Sequence, residues 1–160
     1  MGPEPESANL RLRQWREGDV EGLFKLHENE ISEETQMPRF DREEIWRRIA
    51  SFIGHWELRG FGPWALEEKQ SRSFVGFCGL WFPSGWQDIE IGYAVTPQHR
   101  RKGYATEAAL HTKQYGYGEK AIPRLVSYIR PDNVASQGVA AKLGAVREGN
   151  ILLRGKPCLV

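Results

Sequence analysis

At 160 residues the chain is long enough for one domain with a real core, and its 22 Lys plus Arg nearly cancel 21 Asp plus Glu, leaving a net charge of +1. That balance argues against nucleic acid as a partner, and no apolar run approaches the roughly 20 residues that cross a bilayer, so no membrane partner is expected. The two cysteines, Cys78 and Cys158, lie far apart with no C-x-x-C or His-x-His cluster, so neither a metal site nor a disulfide framework is expected and a cytoplasmic, reducing location fits.

Residues 1–7 have neither a basic start nor an apolar core, so no signal peptide is expected, and Glu6 stands where a myristoylation signal wants Ser or Thr. Residues 1–8 read as a flexible tail and 9–160 as a single domain. Residues 10–15 alternate apolar and polar, which predicts a strand. Asp19 is placed to cap a helix carrying Val20, Leu23, Phe24 and His27. Asp41-Arg42-Glu43-Glu44 has the form of a capping box, and Ile45, Ile49, Phe52, Ile53 and Trp56 follow at helical steps. Gly60-Phe61-Gly62-Pro63 ends that helix.

Strands are predicted over residues 64–68 and 74–80, with Gln70-Ser71-Arg72 turning between them. Pro83-Ser84-Gly85 turns into a third, residues 87–95. A helix after Gly103 is expected to end near Gly116 or Gly118. Residues 125–129 read as a strand, residues 133–143 as a helix stopped by Gly144, and residues 146–153 and 157–160 as final strands. This order implies a mixed sheet with helices on both faces. The strands ending at Val95 and starting near Leu125 are the pair expected to splay if a ligand enters the sheet.

The chain is organised around Val95-Thr96-Pro97-Gln98-His99-Arg100-Arg101-Lys102-Gly103-Tyr104-Ala105. Pro97 cannot donate to a ladder, so the strand stops there. Basic residues follow, and then Gly103 and Ala105, which bear no bulky side chain, open a helix through Thr106. Free amides at a helix start attract anions, each favourable charge there being worth about 0.3–1 kcal/mol. The stretch reads as a diphosphate cradle; a solvated basic turn is the plainer reading.

Arg100-Arg101-Lys102-Gly103-Tyr104-Ala105 resembles the acyl-CoA pyrophosphate loop, Gln/Arg-x-x-Gly-x-Gly/Ala, of the GNAT N-acetyltransferase superfamily. Ile89-Glu90-Ile91-Gly92-Tyr93-Ala94-Val95 before it is similar to the ribosomal-protein N-terminal acetyltransferase (Rim-type) branch. So are Arg130-Pro131-Asp132-Asn133-Val134-Ala135-Ser136 and Lys142-Leu143-Gly144 after it. The resemblance runs from about Leu10 to Val160. It implies an α/β (α+β) fold with a mostly antiparallel central sheet splayed in a V. Acetyl-CoA would lie in the V as co-substrate, its pantetheine along the backbone of Tyr93, Ala94 and Val95. The diphosphate would sit on Arg100, Arg101, Lys102, Gly103, Tyr104, Ala105 and Thr106, and Asn133 would touch the pantetheine arm. Many members carry a tyrosine acid before Lys-Leu-Gly; here Ala140 takes its place, which makes Ser136 the candidate proton donor, though Asn133 and Ser136 equally suit a helix cap.

Glu90 is the candidate general base, with a structural carboxylate as the alternative. An α-amine of pKa near 8 needs only about 1.4 kcal/mol to be neutral at pH 7, so a modest base suffices for an N-terminal acceptor. With no activated nucleophile evident, an amine would attack directly in a ternary complex. Trp81 or Trp86 could wall the acceptor pocket, and residues 31–40 and 81–86 are expected to set acceptor specificity. Cys78 reads as core, and His99 as a proton relay or an exposed turn residue. Gly116-Tyr117-Gly118 matches a dinucleotide pattern but follows a helix, so a helix end is the better reading. A CoA-binding sensor without turnover is the alternative function, and a homodimer is left open.

Overall fold

Five strands pair in chain order: β1 (Leu10–Arg13), β2 (Pro63–Glu68), β3 (Phe74–Trp81), β4 (Ile89–Val95) and β5 (Leu125–Val126). The computed structural model describes residues 2–30 and 40–160. Neighbours from β1 to β4 are antiparallel, and β5 lies parallel to β4. Helices α1 (Val20–His27) and α2 (Arg42–Arg59) connect β1 to β2, and α3 (Tyr104–Gln114) connects β4 to β5. After β5 come α4 (Val134–Lys142) and a hairpin of β6 (Asn150–Leu153) and β7 (Lys156–Leu159). This is the mixed, mostly antiparallel sheet expected.

Strand alternation sorts the core into two layers. Trp64, Leu66, Cys78, Leu80 and Ile91 pack with Ala108, Ala109 and Tyr115 of the α3 side. Ala65 and Phe77 pack against Leu23, Leu26, Ile45, Ile49 and Phe52 of α1 and α2. Helices therefore cover both faces. The capping box at α2 forms as expected: Asp41 accepts from the Glu44 amide at 2.8 Å, and Glu44 accepts from the Asp41 amide at 2.8 Å.

Several local expectations need correction. Asp19 does not cap α1; its carboxylate takes both arms of Arg13, at 2.7 and 2.8 Å, and the Arg16 amide at 2.9 Å. Arg13 also donates to Glu67 at 2.8 Å, so a buried cation is matched by two carboxylates, and leaving either one out would strand a charge. Residues 2–8 do not trail as a loose tail. Trp64 donates its indole N–H to the Pro3 carbonyl (2.8 Å), Leu12 N–H reaches Pro5 (2.9 Å), and Ser7 Oγ reaches Glu107 (2.6 Å).

Gly116 and Gly118 do not end the helix either. It runs on as a π turn over Tyr115–Glu119, and the left-handed residue is Ala121, φ 50°. Tyr115 is buried against Trp64, ring centroids 5.0 Å apart, and a Cβ at Gly116 would stand 2.8 Å from Leu125 Cδ1. Gly116 is there for close approach to β5, not for termination.

The strand predicted over residues 125–129 pairs with β4 only at Ile89↔Leu125 and Glu90↔Val126. Beyond Val126 the two diverge, and Ile129 bridges instead to Leu159 of β7. β4 thus runs on to Val95 with one edge free, which is the V.

Candidate active site

Backbone direction along β4 decides what faces the V. The Thr96 N–H donates to Val75 of β3 at 2.9 Å, whereas the Ile91 carbonyl, on the other edge, accepts from Ser127 Oγ at 3.2 Å. Successive residues turn their N–H and C=O to alternate edges. Tyr93 and Val95 therefore present theirs, like Ile91, to the edge that β5 has left, and those of Ala94 face β3. Arg100 Nε makes a long, 3.4 Å approach to the Val95 carbonyl.

The turn after β4 stores its conformational cost in backbone. Pro97–His99 form one 3₁₀ turn, Arg101 and Gly103 adopt φ of 62° and 84°, and α3 opens at Tyr104. No acceptor among the described residues takes the amides of residues 101–106; the first helical amide to be paired is that of Glu107, on Gly103 O at 2.9 Å. With positive φ at Arg101 and Gly103 and α3 beginning at Tyr104, the unpaired N–H groups are gathered in one short turn, which suits an anion. A Cβ at Gly103 would meet nothing within 4 Å, so the space before those amides is open. The protein's own carboxylates leave it alone: Glu107 is taken by Ser7 and Asn9, and Glu68 by Tyr104 Oη, Ser71 and Lys102 Nζ (3.7 Å). Lys102 consequently folds toward Glu68 and the Tyr104 ring. His99 is half-buried, its Nδ1 lying 2.7 Å from Thr96 Oγ1 and bracing the turn, and burial followed by Lys102 lowers its pKa.

Glu90 points to the opposite face of the sheet from Tyr93. It is half-buried, and burial pushes its carboxyl up to about 6, although the Trp86 indole N–H, 3.2 Å away, acts in the other direction. Trp86 stands edge-on to Tyr128 (6.4 Å), and the Arg154 guanidinium lies over its ring at 5.3 Å. Trp86, Tyr128, Ile151, Leu153 and Arg154 line a pocket of about 270 Å³. Trp81, the other tryptophan expected as a candidate wall, is instead stacked on His55 (4.7 Å) in the α2 layer. A carboxylate with a raised pKa, hydrogen-bonded to a residue that lines an aromatic pocket, can take a proton from an amine near neutral pH.

Asn133 caps α4, its Oδ1 accepting from the Ser136 amide at 3.0 Å. The Ser136 carbonyl accepts from the Tyr93 hydroxyl at 2.9 Å, tying β4 to α4 across the V. Burial pushes that phenol up to about 12, so Tyr93 keeps its proton at neutral pH and donates it to the Ser136 carbonyl. A larger cavity, about 670 Å³, opens where β4 and β5 part, lined by Ile91, Ser127, Ile129, Gln137 and Ala140. Neither Tyr93 nor the 101–106 turn lines it. Among the described residues no group of three or more His, Cys, Asp or Glu is arranged to hold a metal ion, and no helix is long and apolar enough to cross a membrane.

Residues 9–146 match the family described as the acetyltransferase (GNAT) domain. The chain belongs to the GNAT acetyltransferases. YoaA of Bacillus subtilis (strain 168), described as an uncharacterized N-acetyltransferase, is 28% identical over 155 residues, covering 93% of this chain and 86% of that protein. Among solved structures, an acetyltransferase from Agrobacterium tumefaciens str. C58 superposes with a TM-score of 0.83 at 21% identity, covering 98% of this chain and 92% of that one. A ribosomal-protein-S5-alanine acetyltransferase from Vibrio fischeri superposes with a TM-score of 0.72 at 16% identity, covering 98% and 93%. These two likenesses are of fold.

Within the GNAT fold, the sequence-based candidates fall in two clusters: the turn and edge of β4 with the start of α4, and Glu90 with Trp86. Residues 31–39, expected to contribute to acceptor specificity, lie outside the described residues. Cys78 is buried core, its thiol pushed up to about 12 by burial. Sequence reasoning missed Tyr128 and Arg154. Tyr128 left no local signal. Arg154 did: Arg154-Gly155 between two apolar runs is a two-residue hairpin turn, with φ of 50° and 75° at its centre.

Proposed function

We propose that the chain moves an acetyl group from acetyl-CoA to a primary amine, by direct attack in a ternary complex. The observation that carries this is the run of unpartnered amides at residues 101–106, at the open end of the splay between β4 and β5. Those amides bind the diphosphate, with Arg100 and Arg101 adding positive potential and Lys102 acting chiefly through its backbone. The free edge of β4 at Tyr93 and Val95 pairs with the pantetheine amides, and Asn133 contacts the same arm. The Val95 N–H, facing the V, donates to the thioester carbonyl and to the oxyanion that forms from it. As the amine nitrogen bonds to the acetyl carbon and the carbon–sulfur bond breaks, Glu90 takes the amine proton, directly or through water. Ser136, or water, returns a proton to the leaving thiolate, whose reference pKa near 8.5 makes it a fair leaving group.

Residues 9–160 act as one catalytic domain in this reading, in the cytoplasm. The acceptor is a protein N-terminus, as in the Rim-type branch, or a small amine. Mass spectrometry of products formed from acetyl-CoA and cell extract tests the reading: acetylated amines that depend on the protein support it. Ala140 supplies no hydroxyl where many GNAT members have tyrosine, and this favours one second reading, a CoA-binding module without turnover. Tight acetyl-CoA binding with no acetylated product from any acceptor would establish that module in place of the enzyme.

A further inference from the structure

The pocket lined by Trp86 and Tyr128 carries a cation, Arg154, that has no ion-pair partner among the described residues. Arg154 sits at the tip of the β6–β7 hairpin, in left-handed backbone (φ 50°) where Asn, Asp or Gly is the easier residue. Its guanidinium is spread over the Trp86 ring, 5.3 Å from the centroid, and no carboxylate among the described residues pairs with it. Asp88, whose amide N–H donates to Tyr128 Oη at 3.2 Å, gives its carboxylate to Arg124 at 3.3 Å. A guanidinium held over an indole keeps N–H donors available for an acceptor at the edge of the ring. The same indole donates to Glu90 at 3.2 Å, so one side chain, Trp86, joins that carboxylate to the pocket wall that carries Arg154.

We propose that Arg154 selects an acceptor that carries a carboxylate close to its reactive amine, and rejects polycationic amines. This rests on the acetyltransferase reading given above. An amine seated toward Glu90 places its near neighbour at Arg154. A carboxylate there forms charge-assisted, two-armed hydrogen bonds, whereas a second ammonium, as in a polyamine, meets like charge. A free amino acid and a peptide with an acidic residue near its N-terminus both supply this chemistry.

The test compares kcat/KM for peptides differing only in Asp, Asn or Lys at the second position, for a free acidic amino acid, and for spermidine. It uses the intact protein and its Arg154→Asn and Arg154→Asp variants, both of which suit the left-handed turn. The expected result is a preference of about tenfold or more for the Asp over the Lys peptide, flattened in Arg154→Asn and inverted in Arg154→Asp. Comparing the free amino acid with the Asp peptide tells which source is used. Binding of the same peptides, read from tryptophan fluorescence, separates the two ideas. Charge-selective binding lost in Arg154→Asp, without any acetylation, would keep the role of Arg154 and remove the catalytic reading. Acetylation or binding indifferent to acceptor charge in all three proteins would overturn the role of Arg154.

Discussion

The two ends of the candidate site are built from different material. The phosphate end is one continuous stretch of backbone: a proline-stopped strand, two left-handed residues and the first amides of α3. In the proposed reading its chemistry is carried by N–H groups that every residue but proline possesses, so side chains there matter mainly by being small or by staying away. The amine end is made of side chains from three separate stretches, Trp86 and Glu90, Tyr128, and Arg154. There each residue type is decisive, because a carboxyl group, an indole and a guanidinium cannot stand in for one another. A backbone-built site should respond weakly to most substitutions and a side-chain-built one sharply. That contrast can be broken by experiment.

The largest effect is expected at the amine end. Glu90→Gln keeps the shape and the contact with Trp86 but cannot take a proton, and kcat should fall roughly a hundredfold, the lower range for loss of a positioned base. Acetyl-CoA affinity should not change, since Glu90 faces away from the V. The pH profile sharpens this. With Glu90 pushed up to about 6, kcat/KM should fall with an additional limb below that pH, beyond the limb near 8 from the acceptor's own α-amine. The variant should lose the lower limb and keep the upper. A profile identical in both proteins would make Glu90 a structural carboxylate.

Gly76 is where the backbone-built end has a rigid requirement. It pairs with Val95 at φ 148°, and a Cβ there would lie 2.1 Å from the Ala94 carbonyl oxygen and 2.9 Å from Val95 Cα. Both obstacles are main chain and cannot swing away. Gly76→Ala should cost about 3 kcal/mol in urea unfolding and weaken acetyl-CoA binding as the end of β4 is pushed out. Unfolding at the parent midpoint with normal acetyl-CoA affinity would mean that the edge of β4 tolerates displacement and that its geometry is not what binds.

Glu90 also makes a stability prediction of opposite sign to its kinetic one. Its carboxyl titrates at about 6 in the folded protein against an ordinary value of 4.5, so between those values the folded state holds a proton that the unfolded state has released. Stability therefore declines as pH rises through that window, by about 2 kcal/mol in full at neutral pH, and the cost is absent below both values. Glu90→Gln removes the charge that burial disfavours. It should be more stable than the parent by up to about 2 kcal/mol at pH 7 and no more stable at pH 4. A slower but tougher variant is the signature of a group kept for chemistry.

The same division governs what was legible in the sequence. The backbone of the turn after β4 could be read because its determinants are contiguous: Pro97 follows the end of the strand, and Gly103 permits the left-handed step before α3. The capping box at Asp41 and Glu44 was legible for the same reason. Asp19 was misread because its partner, Arg13, is chosen by burial beside Glu67 on another strand, which outweighs a local cap. Gly116 was misread because its role is to admit Leu125, a neighbour in space alone. Trp86 and Trp81 flank the same turn and differ only in which layer of the sheet they meet, so sequence could name the pair without choosing between them. Tyr128 and Arg154 meet Trp86 only after the V and the last hairpin are built.

The smallest predicted effect tests the phosphate end at its most sensitive glycine. Gly103 has φ 84°, yet a Cβ there would touch nothing within 4 Å, so Gly103→Ala raises only the conformational cost of the left-handed step, about 1 kcal/mol. If the turn is already formed in the free protein, that cost falls on folding: the unfolding midpoint drops slightly and acetyl-CoA affinity holds. If ligand holds the turn in place, the cost falls on binding, and the dissociation constant rises about fivefold with kcat at saturation unchanged. Among the described residues no acceptor takes the amides of residues 101–106, which favours the second outcome. Calorimetric titration of acetyl-CoA beside a thermal melt reads both quantities. A variant unaltered in both would show that the left-handed step is not required, and the diphosphate would then have to be held by the side chains of Arg100 and Arg101 in place of the backbone.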